Sequence, residues 1–94
     1  MRSRYCAYAL GKVGYIVRTT HPDSPHWQDD QVAWRKQLKR FCADVTFVGL
    51  VVMDVKVDKV TFRAVLMRGG QDVSFVEESV FRKWKGRWMY VDAV

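Results

Sequence analysis

Two periodicities divide the chain. Up to about Cys42, apolar residues recur every three or four positions, as on one face of a helix; beyond it they alternate, as on a strand. In the opening stretch Tyr5, Tyr8 and Ala9 share a helical face, and Gly11 with Gly14 interrupts it. Residues Tyr15 to Val17 read as a second short helical turn or as extended chain, and His21-Pro22-Asp23-Ser24-Pro25 as a turn. The next helix starts either at Ser24, with Pro25 in its first position, or at Asp29 or Asp30, and runs to about Cys42. Trp27, Trp34, Leu38 and Phe41 form its apolar stripe, and Arg35, Lys36, Lys39 and Arg40 its opposite face. Cations in that part of the helix also suit the negative end of its dipole.

Four strands are predicted after it, over 44–57, 60–68, 72–84 and 87–92. Alternation in the first puts Phe47, Val51, Met53 and Val55 on one side. In the second, Val60, Phe62, Ala64 and Leu66 alternate with Thr61 and Arg63. Asp58-Lys59, Gly69-Gly70 and Lys85-Gly86 supply the turns, the Gly-Gly pair being a strong hairpin signal. Consecutive hairpins give an antiparallel meander. Helices followed by strands give an α+β fold, with N-terminal helices laid on a sheet of about four strands.

Ninety-four residues predict one domain over 1–94, and 49% hydrophobic content with thirteen aromatic residues is ample for its core. Cys6 and Cys42 have no CxxC neighbour, which argues against a disulfide framework or a structural zinc site and for a reducing, intracellular, cytoplasmic setting. An organelle stroma is the alternative if a transit peptide has been removed. No apolar run reaches the length of a membrane span, and no secretory signal pattern opens the chain. The net charge of +6 favours encounter with acidic partners without specifying one. No glycine-rich phosphate loop or RNP-like aromatic motif is present, and no cofactor or metal is expected.

The segment MRSRYCAYALGKVGYIVRTTHP (residues 1–22), the strand opening FVGL (47–50) and the closing hairpin EESVFRKWKGRWMYVDA (77–93) together resemble the YchJ-like family. The resemblance covers nearly the whole chain in order. It implies an NTF2-like cone, in which helices pack into the concave face of a curved sheet. The family often carries SEC-C motifs, Cys-rich segments linked to zinc. They are absent from this sequence, so no zinc-linked role is carried over. Family members often hold Arg or a similar residue where Glu78 and Val80 stand here, so the charge pattern of that strand carries little argument.

Glu77 is the most informative candidate. Period-two alternation places it with Phe75, Ser79 and Phe81 on the side facing the helices, where a carboxylate requires a partner. An ion pair with Arg2 or Arg4 is the expected arrangement; a pocket acid or base is the functional alternative. His21 and His26 flank the His-Pro turn near Asp23, and their spacing matches no strong metal signature. His21 is expected to tie its turn to the sheet, with general-base chemistry as the rival. Arg2 and Arg4, beside Ser3 and Tyr5, suit either an anionic ligand at the mouth of the cone or structural bonds to Glu77, Asp92 or carbonyl groups. Trp88 and Tyr90 are core residues or pocket wall.

These features favour a non-catalytic binding or interaction module. Its ligand-binding set is Arg2, Arg4, Tyr5, His21, Glu77, Ser79, Trp88 and Tyr90, and its partner is a small molecule, a protein, or a second copy through the outer sheet face around Val76, Val80 and Trp84. One alternative is an isomerase- or hydratase-like enzyme using Glu77, with His21 or Tyr90 assisting, a reading by fold analogy. Another is salt-sensitive nucleic-acid association through Arg35, Lys36, Lys39 and Arg40, for which a solvated helix face is the simpler account.

Overall fold

The computed structural model describes residues 2–93, with the side chain of Arg2 outside that description. Helices α1 (Arg2–Ala9), α2 (Val13–Arg18) and α3 (Gln31–Asp44) precede strands β1 (Thr46–Val55), β2 (Lys59–Arg68), β3 (Gln71–Asp72), β4 (Phe75–Trp84) and β5 (Arg87–Ala93). The strands form one antiparallel sheet in the order β1-β2-β4-β5, with the short β3 beside β2. The α+β meander expected from the sequence is therefore present, with five strands where about four were predicted.

The difference arises at Ser74. The predicted strand over 72–84 breaks there, because the Ser74 hydroxyl accepts the Leu66 N–H at 3.0 Å in place of a backbone partner. Two-residue turns join β2 to β3 and β4 to β5. Gly69 and Gly70 take φ of 56° and 81°, and Lys85 and Gly86 take 51° and 79°. Positive φ at both central positions matches the right-handed twist of a hairpin, and only Lys85 adopts it at a steric cost.

The start of α3 is corrected to the later of the two expected positions. Asp30 is its N-cap, and its carboxylate accepts the Ala33 N–H at 3.0 Å. Ser24 caps no helix: its hydroxyl donates to the Val91 carbonyl across the chain and accepts the His26 N–H. That bond is part of a strap along β5. The His21 N–H donates to the Tyr90 carbonyl at 2.7 Å, and the Tyr90 N–H to the Thr19 carbonyl at 2.8 Å, making a parallel bridge that covers the sheet edge.

The inward face of β1 is also corrected. Irregularities between Phe47 and Gly49, and between Val52 and Asp54, each shift the register, so that Phe47, Leu50 and Val52 lie opposite Leu66, Ala64 and Phe62. Val51, Met53 and Val55, expected beside Phe47, are exposed instead. The core groups Val45, Phe62, Ala64 and Leu66 with Tyr5, Phe41, Phe47 and Leu50. Tyr5 meets Phe47 edge-on at 5.7 Å and Tyr8 meets Phe41 at 5.9 Å, which fastens α1 to both α3 and β1.

Candidate functional site

A cavity of about 580 Å³ lies between α3 and the concave face of the sheet. Helical spacing aims Trp34, Leu38 and Phe41 of α3 into it, and strand alternation aims Phe62, Ala64 and Leu66 of β2 at them from the other side. Small side chains help to keep the space open. Ala64 and Ser79 occupy wall positions where a Leu or Phe would project into the hollow. Apolar at this end, the cavity is polar at the other, where Arg4 and Tyr8 of α1 approach Glu77 and Ser79 of β4 and Tyr90 of β5.

The expected ion pair of Glu77 with Arg4 is not formed. Glu77 Oε2 accepts the Ser79 hydroxyl at 2.6 Å, and no described cation lies within ion-pair distance of its carboxylate. Arg2, the other expected partner, has its side chain outside the described residues. Arg4 is turned toward α2: its Nη1 donates to the Ile16 carbonyl at 3.2 Å and the Thr19 hydroxyl at 2.6 Å. Its guanidinium also covers the Tyr90 ring, 4.6 Å from the centroid. A buried guanidinium needs partners, and the C-terminal carbonyls of a short helix supply them without a carboxylate. Burial lowers the Arg4 pKa, with the phenols of Tyr8 and Tyr90 acting the other way.

Both phenols at the polar end hold their protons strongly. Tyr90 is pushed up to about 12, first by burial and then by the charge of Glu77. Tyr8 is raised chiefly by burial, and Arg4 offsets part of that. The cavity presents two phenolic hydroxyls beside the Glu77 carboxyl group, a set suited to holding a hydroxyl, carbonyl or amide group.

The two histidines separate. His21 is buried outside the cavity: its Nδ1 accepts the Asp23 N–H at 3.0 Å and its ring meets Trp84 edge-on at 6.2 Å. It anchors the strap and does not reach the cavity. His26 does line it, stacked on Tyr90 at 6.0 Å with Nε2 3.3 Å from Asp92. Asp23 turns to Arg82 at 3.4 Å, and no group of three or more His, Cys, Asp or Glu suited to a metal ion gathers among the described residues.

Of the predicted ligand-binding residues, Arg4, Tyr5, Glu77, Ser79 and Tyr90 come together around the cavity, whereas His21 and Trp88 do not line it. Arg35, Lys36, Lys39 and Arg40 are all exposed along the outer side of α3. At the polar end of the cavity, Tyr8 escaped the sequence analysis as a site candidate. Tyr8 stands four positions after Arg4 on one helix, a spacing that shares a face and was available as a signal. His26, weighed from the sequence together with His21, reaches the cavity wall through the path of its loop, which spacing alone does not give.

Comparison with known proteins bears on the whole chain. Residues 1–93 match the family described as YchJ, middle NTF2-like domain. The UPF0225 protein YchJ of Shigella dysenteriae serotype 1 (strain Sd197) is 32% identical over 98 residues, which cover 98% of this chain and 61% of that protein. A SEC-C motif containing protein from Rhodopseudomonas palustris, solved in solution, superposes with a TM-score of 0.80 at 35% identity, covering 100% of this chain and 73% of the other. A crystal structure of a SEC-C motif containing protein from Psychrobacter arcticus gives 0.68 at 25% identity, covering 98% and 56%. The chain thus spans less than two thirds of the Shigella relative, and the NTF2-like architecture implied by its RSRY helix and closing hairpin is the one it has. On the span of the family match and its identity to that relative, the chain belongs to the YchJ family and corresponds to its middle, NTF2-like domain.

Proposed function

We propose that this domain is a non-catalytic binding module whose cavity takes a small, mostly apolar molecule carrying one polar end. The observation that supports it is the hollow of about 580 Å³, apolar along α3 and β2 and polar at Glu77, Tyr8 and Tyr90. Cavities of that size, with apolar walls and a few convergent polar groups, suit small organic ligands. Residues 1–94 act as one domain in this reading, since helices and strands contribute to a single cavity. Two cysteines without a disulfide, Cys6 exposed and Cys42 half-buried, support a reducing intracellular setting. No described helix is long and apolar enough to cross a membrane.

The test is titration with N-phenyl-1-naphthylamine, a neutral apolar dye that brightens out of water. Saturable one-site enhancement, displaced by dodecanol and weakened about tenfold or more by Leu38→Lys, is expected. Enhancement that never saturates, or that Leu38→Lys leaves unchanged, would remove the reading.

A second reading makes Glu77 a proton acceptor in an enzyme. It is favoured by the position of the carboxylate on the cavity wall, bonded to Ser79 without contact from Arg4. If Glu77 abstracts protons beside a carbonyl, 2-decanone exchanges its α-protons into heavy water faster with the protein, and Glu77→Gln abolishes the acceleration while dye binding persists. Equal exchange in both proteins returns the domain to pure binding.

A further inference from the structure

A second hollow, of about 300 Å³, lies on the other side of Arg4, which lines both spaces. It opens between the start of α1, the β1–β2 turn, α2 and its end, and Phe81 and Trp88 of the last hairpin. Its chemistry differs from that of the first cavity. Three cations, Arg4, Lys56 and Lys59, face one carboxylate, Asp58. Hydroxyl groups stand beside them, with Tyr15 donating to Ser3 at 2.8 Å. Trp88 forms part of the wall and is 46% exposed, although it is a large aromatic residue in a domain with an unfilled apolar interior. The Lys83 ammonium rests 5.4 Å from its ring centroid.

We propose that this hollow binds a nucleoside phosphate, with the base stacked on Trp88, the sugar hydroxyls near Ser3 and Tyr15, and the phosphate between Lys56 and Lys59. Each feature needs a different part of that ligand. Lysine ammonium groups are point charges suited to phosphate. An exposed indole offers a π-face to a flat ring, a contact of about 1–3 kcal/mol per base in single-strand binders. Inorganic phosphate leaves Trp88 unused, and a neutral aromatic ring leaves the lysines unused. The volume is at the lower end of the range for small organic ligands, about 300 Å³. Further cations, Lys83, Lys85 and Arg87, surround the hairpin turn, so the ligand is either a free nucleotide or a nucleotide within an RNA strand whose phosphates continue along them.

Calorimetric titration of the full chain with AMP, a ten-residue oligouridylate and inorganic phosphate separates the cases. The proposal expects AMP to bind, phosphate to bind far more weakly, and the double variant Lys56→Ala/Lys59→Ala to lose about tenfold or more in affinity for AMP. Trp88→Ala loses a similar factor, whereas Trp88→Phe, which keeps an aromatic face, retains most of it. Gln71→Ala, at an exposed position on β3 outside both hollows, leaves AMP binding unchanged. Oligouridylate binding tighter than AMP and falling steeply with salt identifies a strand as the source; equal or weaker binding identifies the free nucleotide. No heat with either ligand, or affinity that survives both the lysine and the Trp88→Ala changes in folded protein, overturns the proposal.

Discussion

Tyr90 joins several parts of the candidate site. Its ring lies under the Arg4 guanidinium and against His26, its hydroxyl end faces the cavity, and its backbone holds the strap over the sheet edge. Because burial and the nearby Glu77 raise its pKa to about 12 from 10.0, the folded chain keeps a proton that the unfolded chain loses first. The stability this supplies is complete below pH 10 and is lost as pH rises toward about 12. Alkaline titration followed by tyrosinate absorbance is expected to show a late-ionising phenol that Tyr90→Phe removes. Urea unfolding is expected to show a smaller loss of stability across the same pH window in Tyr90→Phe than in the native sequence. A phenol removed by Tyr90→Phe that is half ionised near pH 10 would place Tyr90 in water instead. Glu77 teaches a related point. Alternation placed it on the inward face correctly, but its partner could not be read from spacing, because Arg4 found carbonyl and hydroxyl acceptors on α2 and left the carboxylate to Ser79.

Among the elements, α3 shows how one capping residue decides a boundary. Asp30 holds one free N–H of the first turn, that of Ala33, whereas Ser24, equally suited by type, ties the loop to β5. Asp30→Ala is expected to cost about 1 kcal/mol in urea unfolding, the usual loss for an N-cap. Ser24→Ala leaves the helix capped and loosens the strap, so amide exchange quickens at His21 and Tyr90 and not along α3. Similar loss of protection in α3 from both changes would contradict this division. The meander, the hairpin turns and the apolar stripe of α3 were legible in sequence because each rests on local periodicity or turn chemistry. The inward face of β1 was not. A bulge adds one residue to a strand and reverses every alternation beyond it; Gly49 inside the strand hinted at the first, but nothing marks the second, between Val52 and Asp54, among its neighbours. The break at Ser74 was hidden for a similar reason, since a serine inside an otherwise strand-like run reads as an ordinary outward position.

At the scale of the molecule, the two faces of the sheet are used differently. The concave face is the wall of a cavity that the helices roof without filling. The outer face carries Val51 and Val76 on either side of Arg63 in register, both valines more than half exposed. Self-association through this face, expected from the sequence on apolar grounds, predicts a concentration-dependent dimer in sedimentation velocity that Val76→Asp converts to monomer. A chain that sediments as a monomer at all concentrations would leave the outer face without a role in assembly. How much of the cavity was visible beforehand follows from its construction. The cone shape came with the resemblance, and Glu77, Ser79 and Tyr90 with alternation. That the cone is hollow depends on summed side-chain volumes across seven elements, which no local pattern encodes. A binding role rests on the empty space between α3 and β2, which a crystal structure under xenon pressure would reveal. Xenon is expected between Leu38 and Ala64, in the apolar end away from Glu77. Side chains of α3 closed down onto β2, with no xenon between them, would contradict the account.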